Sequence, residues 1–214
     1  MNDDAELSIH DAIHTLRAMR RLRPDPVPER EIRYVIECAT QAASATNAQQ
    51  WAFVVVRDAE QRRKVAELYL EIADKLVRPS AEEGSPLAED TRKVFLHAWQ
   101  LAERMPEVPA MIVACMRERV AGEAASALAS YYGSIFPAVQ NLMLAARARG
   151  LGTTLTTLHL AEEKRFKEIL AIPESVQTVA LIPIGYPTGK WKTPLRREVD
   201  AITHWDRWGE YAPG

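Results

Sequence analysis

Four arginines fall within seven residues near the N-terminus, in the sequence RAMRRLR: Arg17, Arg20, Arg21 and Arg23. A guanidinium group offers several N–H donors in a fixed planar geometry that matches the oxygens of a phosphate or a carboxylate. The cluster lies where a predicted helix gives way to a proline-rich segment, so several of these side chains can converge on one anion. A solvated basic face accounts for the same composition, and the arginines alone leave both interpretations open.

Two glycines of a GLG sequence, Gly150 and Gly152, are a second candidate contact for a ligand. They follow a predicted helix and lack the third glycine and the preceding strand of a dinucleotide-binding fingerprint, so they are not a Rossmann signal. Glycine nevertheless lets the backbone approach a flat ligand closely. A simple helix C-cap explains the same two residues.

Hydrolytic and metal-dependent chemistry has little support in the sequence. It contains no GxSxG, HExxH or P-loop motif. Its two cysteines, Cys38 and Cys115, form no CxxC pair and are expected to be buried thiols. His10 and His14 stand four residues apart on a predicted helix, without a third metal ligand. We therefore predict no metal site and no side chain that acts as a catalytic acid or base.

Hydrophobic periodicity predicts the elements that would position these residues. Apolar residues at helical spacing predict helices, and short β-branched or apolar runs predict buried strands. The predicted helices cover residues 9–19, 28–43, 58–77, 91–105 and 124–149, with one more short helix around residues 166–170. The predicted strands cover residues 51–56, 110–115 and 176–184, with an extended segment at 153–157. This alternation indicates an α+β or α/β three-layer domain, with helices covering a small sheet.

Two helices carry additional signals. Ser8 and Asp11 resemble a capping box at the start of the first helix, where a hydroxyl and a carboxylate satisfy free backbone amides. Pro137 lies inside the longest helix and removes one of its hydrogen bonds, so we expect a kink or a broken turn there.

The C-terminal tail is rich in aromatic residues. It contains Trp191, Trp205, Trp208 and Tyr211, yet no helix or strand is predicted there to bury them. These rings need another surface, and a partner subunit would provide one.

Composition places the chain among ordinary globular proteins. Its 214 residues and 24.0 kDa fit one domain, and a hydrophobic share of 47% is ample for a core. The net charge of −2 gives no general attraction to nucleic acid or acidic lipid. No apolar window approaches the roughly 20 residues of a membrane span. The N-terminus MNDDAELS carries neither a secretory signal nor a transit peptide, so a cytoplasmic location is expected.

Four segments, in this order, resemble the nitroreductase family of FMN proteins: RAMRRLRPDPVPEREI, SATNAQQWAFVVVRD, PAVQNLMLAARARGLGT, and IPIGYP followed by LRREVDAITHWDRW. They span the chain from Arg17 to Trp208, and residues 58–107 match only weakly. The resemblance implies an α+β, three-layer fold in which helices cover a small mixed sheet, within a single domain over residues 1–214. It also implies an intertwined homodimer, with residues 78–106 as a variable helical excursion and residues 188–214 as a tail that wraps the partner.

The resemblance implies that FMN is held at both ends of the chain. The N-terminal contacts to its phosphate and ribityl groups correspond to Arg17, Ala18, Met19 and Arg20. In the family pattern an arginine stands at the position of Leu16 and a serine at that of Ala18, so one charge and one hydroxyl are missing. Near the C-terminus the phosphate-binding arginine corresponds to Arg196 or Arg197.

The flavin ring system would meet two further segments. The first corresponds to Ala43, Ser44, Ala45, Asn47 and Gln49, and in the family it touches the flavin that the other subunit binds. Two prolines of the family pattern are absent from it. The second corresponds to Thr153, Thr154 and Leu155, whose backbone passes beside the isoalloxazine, so that the amide of Thr154 or Leu155 would lie near the reactive N5.

The implied activity is transfer of a hydride from NAD(P)H, through FMN, to an electron-poor acceptor such as a nitroaromatic or a quinone. Because the flavin carries the reaction, no protein acid or base is needed. The implied partners are a second copy of the chain and a small-molecule acceptor, with neither nucleic acid nor membrane. Two alternatives stay open: a specialised flavin reaction, such as iodotyrosine dehalogenation or FMN fragmentation, and a non-catalytic flavin-binding module. Residues that line the acceptor site are expected within 68–99.

Overall fold

A four-stranded sheet lies at the centre of the computed structural model, which describes residues 7–120 and 122–211. Its strands are β1 (Trp51–Val56), β2 (Ala110–Met116), β3 (Gly152–Thr153) and β4 (Gln177–Gly185), in the order β1-β2-β4-β3. All neighbouring strands in this described sheet pair antiparallel, whereas a mixed sheet was expected. Alternating helices and strands are typical of parallel pairing, but strand direction depends on the connections, which the apolar pattern does not encode.

Seven α-helices surround the sheet in the described part of the chain. They are α1 (Ile9–Thr15), α2 (Glu29–Thr40), α3 (Ala59–Leu76), α4 (Arg78–Ala81), α5 (Glu89–Arg104), α6 (Ala125–Ala148) and α7 (Glu163–Leu170). Short 3₁₀ turns occur at Ala45–Asn47, Met105–Glu107, Leu158–Glu162 and Val199–Ala201. The predicted α+β class is confirmed.

The sheet separates two apolar cores, which makes the fold three-layered. Alternate residues of β2 point to opposite faces, as the two-residue period of a strand requires. Ile112 and Ala114 pack with α2 and α6 on one face, whereas Met111, Val113 and Cys115 pack with α3, α5 and α7 on the other. Every residue of β2 is buried, since helices cover both faces.

Helix boundaries follow the capping signals where those signals are local. Ser8 caps α1 by accepting a hydrogen bond from the Asp11 amide at 3.0 Å, and the Ser8 hydroxyl donates to the Asp11 carboxylate at 2.7 Å. Ser8 is therefore the N-cap, but the Asp11 carboxylate accepts from the Ser8 hydroxyl and not from a backbone amide, so only half of the capping box forms. Asp58 caps α3 in the same way through the Gln61 amide.

Two helices end earlier than predicted, and a third continues past an internal proline at which a kink or a broken turn was expected. α1 ends at Thr15 rather than near Met19, and α2 ends at Thr40 rather than near Ala43. α6 continues through Pro137, which is exposed, so the helix is not broken there. Within the described ranges, no helix combines the length and the apolar character that crossing a bilayer requires.

Candidate functional site

The arginine-rich segment lies extended along the end of the sheet formed by β3 and β4. The Met19 amide donates to the Thr153 carbonyl oxygen at 2.9 Å, and the Arg23 amide donates to the Tyr186 carbonyl oxygen at 2.8 Å. Between them, the Arg21 carbonyl oxygen accepts from the Thr188 amide at 3.0 Å. These long-range bonds explain why α1 ends at Thr15: the chain after it pairs with distant backbone instead of continuing the helix.

Gly152 permits this close approach. A Cβ atom at Gly152 would lie 2.9 Å from the Met19 Cβ, 3.0 Å from Leu22 Cδ2 and 3.1 Å from the Pro187 Cβ. Such separations are shorter than carbon atoms tolerate, so a side chain at this position would push the arginine-rich segment away from β3. Gly152 is thus required by packing, whereas Gly150, with a φ of 71°, is the glycine that follows the end of α6.

Both ends of the chain meet in a cavity of about 510 Å³, which we call the arginine cavity. It is lined by Arg17, Ala18, Met19, Arg20, Arg21, Val94, His97, Gln100, Gly189, Pro194 and Arg196. All four N-terminal residues predicted from the resemblance are therefore present, together with one of the two C-terminal arginines. Arg197 is not among the lining residues, so the structure favours Arg196.

The arginine cavity is strongly positive. It is lined by four guanidinium groups and by no carboxylate of the described residues. Arg23, in contrast, lies outside the lining and has a carboxylate nearby, with its Nε 3.4 Å from Asp25. Burial lowers the pKa of Arg20, because the charged form is poorly solvated there, while the nearby Tyr69 phenol acts in the opposite direction. Arg17 and Arg20 are partly buried and Arg21 and Arg196 are exposed, and a cluster of cations without carboxylates is a favourable site for an anion.

Thr153 and Thr154 adjoin this cavity through the backbone bond between Thr153 and Met19. Both threonines are buried, with 1% and 3% of their surface exposed, and neither hydroxyl has a hydrogen-bond partner. A buried hydroxyl without a partner costs about 1–3 kcal/mol. Leu155 is 37% exposed at the surface next to them. The segment thus offers polar groups that a molecule in contact with it would satisfy.

Tyr69 holds the far end of this segment. Its hydroxyl lies 2.9 Å from the Thr156 hydroxyl, and Thr156 also pairs with Leu181 through two backbone bonds. Burial raises the pKa of Tyr69, so its phenol stays protonated at neutral pH. The backbone between Thr153 and Thr156 is therefore fixed at both ends.

The second predicted segment lines a separate cavity of about 320 Å³. Ser44, Ala45 and Gln49 contribute to it, whereas Ala43 and Asn47 are not among its lining residues. The loop is held by the Ser44 hydroxyl, which accepts from the Gln49 amide at 3.2 Å, and by the Ala45 amide, which donates to Ser134 on α6 at 3.0 Å. Within one chain, this loop therefore lines a different cavity from the one lined by the N-terminal arginines.

This loop stores backbone strain. Thr46, Asn47 and Gln49 all have positive φ, at 53°, 54° and 49°. Asparagine tolerates this region, but a β-branched threonine rarely adopts it. Conformations of this kind cost of order 1–3 kcal/mol each and tend to cluster at functional sites.

Six lining residues of the arginine cavity were not among the predicted cofactor contacts, and Arg21, Gly189 and Pro194 are three of them. The other three are Val94, His97 and Gln100 on α5, of which the first two fall within the range 68–99 that was expected to line the acceptor site. Their spacing of three residues places them on one face of a helix. The sequence predicted this helix, and the spacing alone would have grouped the three residues. The sequence contained no signal that α5 packs near the N-terminal arginines.

Cys115, Cys38 and His159 lie outside the arginine cavity. Cys115 is buried as expected, and burial raises the pKa of its thiol to about 12. Cys38 is only partly buried, contrary to expectation. Burial also lowers the pKa of His159 to about 4, so its imidazole is neutral at physiological pH. In residues 7–120 and 122–211, no group of three or more metal-ligating side chains is found.

The tail aromatics divide into two groups. Trp191 packs against the core that contains α3 and α5, and its ring faces Arg147, so this tryptophan finds its surface within the chain. Trp205, Trp208 and Tyr211 stay exposed, at 57%, 90% and 57%. The expectation that all four rings need another surface was wrong for Trp191 because the tail folds back over α6.

Comparison with known proteins is consistent with this arrangement. The family model described as "Nitroreductase family" matches residues 13–186. The chain is 29% identical to the "NADH dehydrogenase" of Thermus thermophilus over 194 residues, which cover 88% of this chain and 91% of that protein. It is 27% identical to "Iodotyrosine deiodinase 1" of Mus musculus over 198 residues, covering 90% and 67%.

The fold also matches a solved structure. The crystal structure of oxidised iodotyrosine deiodinase bound to FMN and 3-iodo-L-tyrosine superposes with a TM-score of 0.75 at 19% identity, over 94% of this chain and 100% of that one. At this identity the match establishes the fold alone. With the family model covering residues 13–186, the chain belongs to the nitroreductase family and is an enzyme.

Proposed function

We propose that the chain binds FMN and works as an FMN-dependent oxidoreductase that passes hydride from NAD(P)H to an electron-poor acceptor, such as a nitroaromatic or a quinone. The observation that carries this proposal is the arginine cavity, which lies beside two buried threonine hydroxyls that lack partners. The names of relatives support it: one is an NADH dehydrogenase, and a protein of the same fold was crystallised with FMN.

The residues of the site fit FMN. A phosphate monoester carries about two negative charges at neutral pH and three acceptor oxygens. Arg17, Arg20 and Arg196 supply the matching charge and donors from two ends of the chain. Thr153 and Thr154, next to the cavity, carry buried hydroxyls without partners in the chain itself.

The bound flavin would supply the two-electron chemistry, because its N5 accepts a hydride from a nicotinamide and returns it to an acceptor. The chain's own part is to position and to stabilise. Tyr69 and Met19 fix the backbone that carries Thr154 and Leu155. The arginines provide a positive potential that favours negative charge developing on a bound group, and they act without reorganising during the reaction.

We also propose that the working form is a homodimer in which the loop around Ser44 meets the flavin held by the partner. The loop lines a cavity that shares no lining residue with the arginine cavity of the same chain. The exposed rings of Trp205, Trp208 and Tyr211 form an apolar surface that a second copy would cover.

The test is to purify the full chain, identify any heat-released flavin, and reduce the protein anaerobically with NADH and NADPH in parallel. We expect FMN to be released, the visible spectrum to bleach with at least one nicotinamide, and colour to return when a quinone or nitroaromatic is added. Protein that neither contains nor takes up FMN would refute the proposal. Tight FMN binding without reduction by either nicotinamide would indicate a non-catalytic flavin-binding module.

A second candidate is dehalogenation of an iodinated tyrosine. It is favoured by the sequence similarity to the mouse deiodinase and by the structural match to the complex with 3-iodo-L-tyrosine. Titration of FMN-loaded protein with 3-iodotyrosine distinguishes the two reactions. Tight binding and iodide release under reducing conditions support the dehalogenase, whereas weak binding with rapid quinone reduction supports the general oxidoreductase.

A further inference from the structure

One wall of the arginine cavity comes from α5, outside the segments that resemble the family. Val94, His97 and Gln100 follow each other at three-residue intervals, so one face of the helix meets the cavity. The C-terminal part of α5 is fixed in the protein interior, since Leu101 and Ala102 are buried in the core. The wall is therefore part of the packed fold, although His97 itself remains accessible to solvent.

The N-terminal segment that lines the cavity lacks two hydrogen-bonding groups of the family pattern, the arginine at the position of Leu16 and the serine at that of Ala18. Ala18 lines the cavity with a methyl group and offers no side-chain donor. Leu16 is buried in the core and contributes nothing to the cavity lining. On the α5 side, an imidazole and a primary amide enter the same space, and both carry N–H donors.

We propose that His97 and Gln100 bind the phosphate of FMN from the α5 wall of the cavity, together with Arg17 and Arg20 of the N-terminal segment. This inference rests on the proposed function, because it assigns the partner of that same cavity. It gives α5 a role in cofactor binding, whereas the sequence alone suggested that residues 68–99 line the acceptor site.

The electrostatic surroundings make the contact depend on the bound anion. The charged groups that share the cavity with His97 are Arg17, Arg20 and Arg21 from the N-terminal segment and Arg196 from the tail. On its own helix, Lys93 lies one turn earlier with its ammonium group 3.4 Å from Glu89. α3 packs against α5 and brings the phenol of Tyr69, which burial keeps protonated.

A phosphate monoester carries about two negative charges and three acceptor oxygens. Each of these oxygens can accept more than one hydrogen bond, so the N–H donors of His97 and Gln100 can bind the phosphate together with the guanidinium groups that line the same cavity.

The test compares FMN with riboflavin, which has the same ring system and no phosphate. Dissociation constants are measured with the flavin-free full-length protein. The variants are His97→Ala, His97→Lys and Gln100→Leu, with His14→Ala on α1 as a control for loss of an exposed histidine outside the cavity.

We expect His97→Ala and Gln100→Leu each to weaken FMN binding roughly two- to fivefold and to leave riboflavin binding unchanged. His97→Lys should retain the affinity for FMN, because it keeps an N–H donor at this position. His14→Ala should change nothing.

Three outcomes would overturn the inference. One is an unchanged affinity of His97→Ala for FMN. Another is an equal loss for FMN and riboflavin, which would indicate packing. A third is an unchanged FMN affinity with an altered KM for the acceptor, which would place His97 in the acceptor site. Wild-type protein that binds neither flavin would instead refute the proposed function itself.

Discussion

The guanidinium of Arg147 lies 4.1 Å from the centre of the Trp191 ring. Arg147 is nearly buried at the end of α6, and its Nε donates to the Thr15 hydroxyl at 2.8 Å. Burial lowers its pKa, while the carboxylate of Asp11 acts in the opposite direction. The Arg147 side chain thus joins α1, α6 and the tail. It contacts the tail at Trp191, five residues before Arg196, which lines the arginine cavity.

Replacing Trp191 with leucine should release the tail and withdraw Arg196. Loss of the cation–π contact predicts a fall of about 1 kcal/mol in the free energy of unfolding, together with a several-fold loss of FMN affinity. Urea unfolding and flavin titration measure the two effects. Tyr34→Leu removes the ring 5.4 Å from Arg149, away from the cavity, and should lower stability without changing FMN affinity. If both variants bind FMN like the wild type, the tail does not deliver Arg196.

Arg20→Ala should separate binding from stability. The lost charge-assisted bond to phosphate predicts a roughly 10- to 100-fold weaker affinity for FMN, with a smaller change for riboflavin. The folded protein should be as stable as the wild type or more so, because an incompletely solvated cation is removed. The control Arg33→Ala, on α2 and paired with Glu29 at 2.7 Å, should retain full affinity. Equal affinity in both variants would move the phosphate site elsewhere.

Gly152→Ala should disturb the arginine-rich segment through packing alone. The added methyl group meets Met19 Cβ at 2.9 Å, and overpacking of this kind costs about 1–3 kcal/mol. Thermal unfolding should show the loss, and FMN affinity should fall with it. Gly84→Ala is the matched control, since no atom lies within 4 Å of its Cβ position. A Gly152→Ala protein as stable as Gly84→Ala would show that the arginine-rich segment moves aside without a cost in stability.

Thr46→Gly should relax the strained loop. The left-handed conformation at φ 53° costs a β-branched residue about 1–2 kcal/mol, and glycine's greater freedom in the unfolded chain offsets part of the gain. We expect a net increase of about 0.5–1 kcal/mol in the free energy of unfolding. Thr40→Gly, in the last turn of α2, should be destabilising. A decrease for Thr46→Gly would mean that its hydroxyl bond to the Ala45 carbonyl oxygen outweighs the strain.

His159 should make the fold sensitive to acid. Its ring is buried against Phe166, at 4.5 Å between centres, and neither nitrogen has a partner. Burial lowers the pKa to about 4 from the ordinary 6.5, so the unfolded chain binds the proton more readily. The full stabilisation is present above pH 6.5 and is lost as pH falls towards 4, by about 3 kcal/mol.

The measurement for His159 is the free energy of unfolding between pH 7 and pH 4 for wild type and His159→Leu. The leucine variant should lose this part of the pH dependence and should not be less stable at pH 7, because two unpartnered nitrogens are removed. His10→Ala, at an exposed position, should retain the wild-type profile. Parallel profiles for all three proteins would mean that the buried imidazole is solvated.

The parts of the fold that depend on neighbouring residues were predictable from the sequence. Ser8 caps a helix through the amide of Asp11, three residues later. β2 is recognisable in the sequence because all of its residues are buried and therefore form a continuous apolar run. The end of α1 was not predictable in the same way. It depends on a hydrogen bond between Met19 and Thr153, which no local pattern encodes.

The residues of the site also divide into those that the sequence predicted and those that depend on long-range packing. The arginines on the N-terminal segment were expected, and Arg196 was placed beside them by resemblance to the family. His97 falls within the range 68–99 expected to line the acceptor site, but it was missed as a cofactor contact, because α5 reaches the cavity only through the packing of Leu101 and Ala102 against the core. The docking of Trp191 on Arg147 was missed for the same reason, since it joins α6 to a segment without regular structure.

The loop around Ser44 and the arginine cavity belong to one chain but open at different places on it. In the proposed dimer, each flavin therefore needs parts of two molecules, and a second chain becomes a reactant in cofactor binding. By mass action, dilution then strips cofactor from the protein, and free FMN drives the chains together. The loaded fraction would rise more steeply than in proportion to the amount of chain, so expression level itself would set how much of the protein is active.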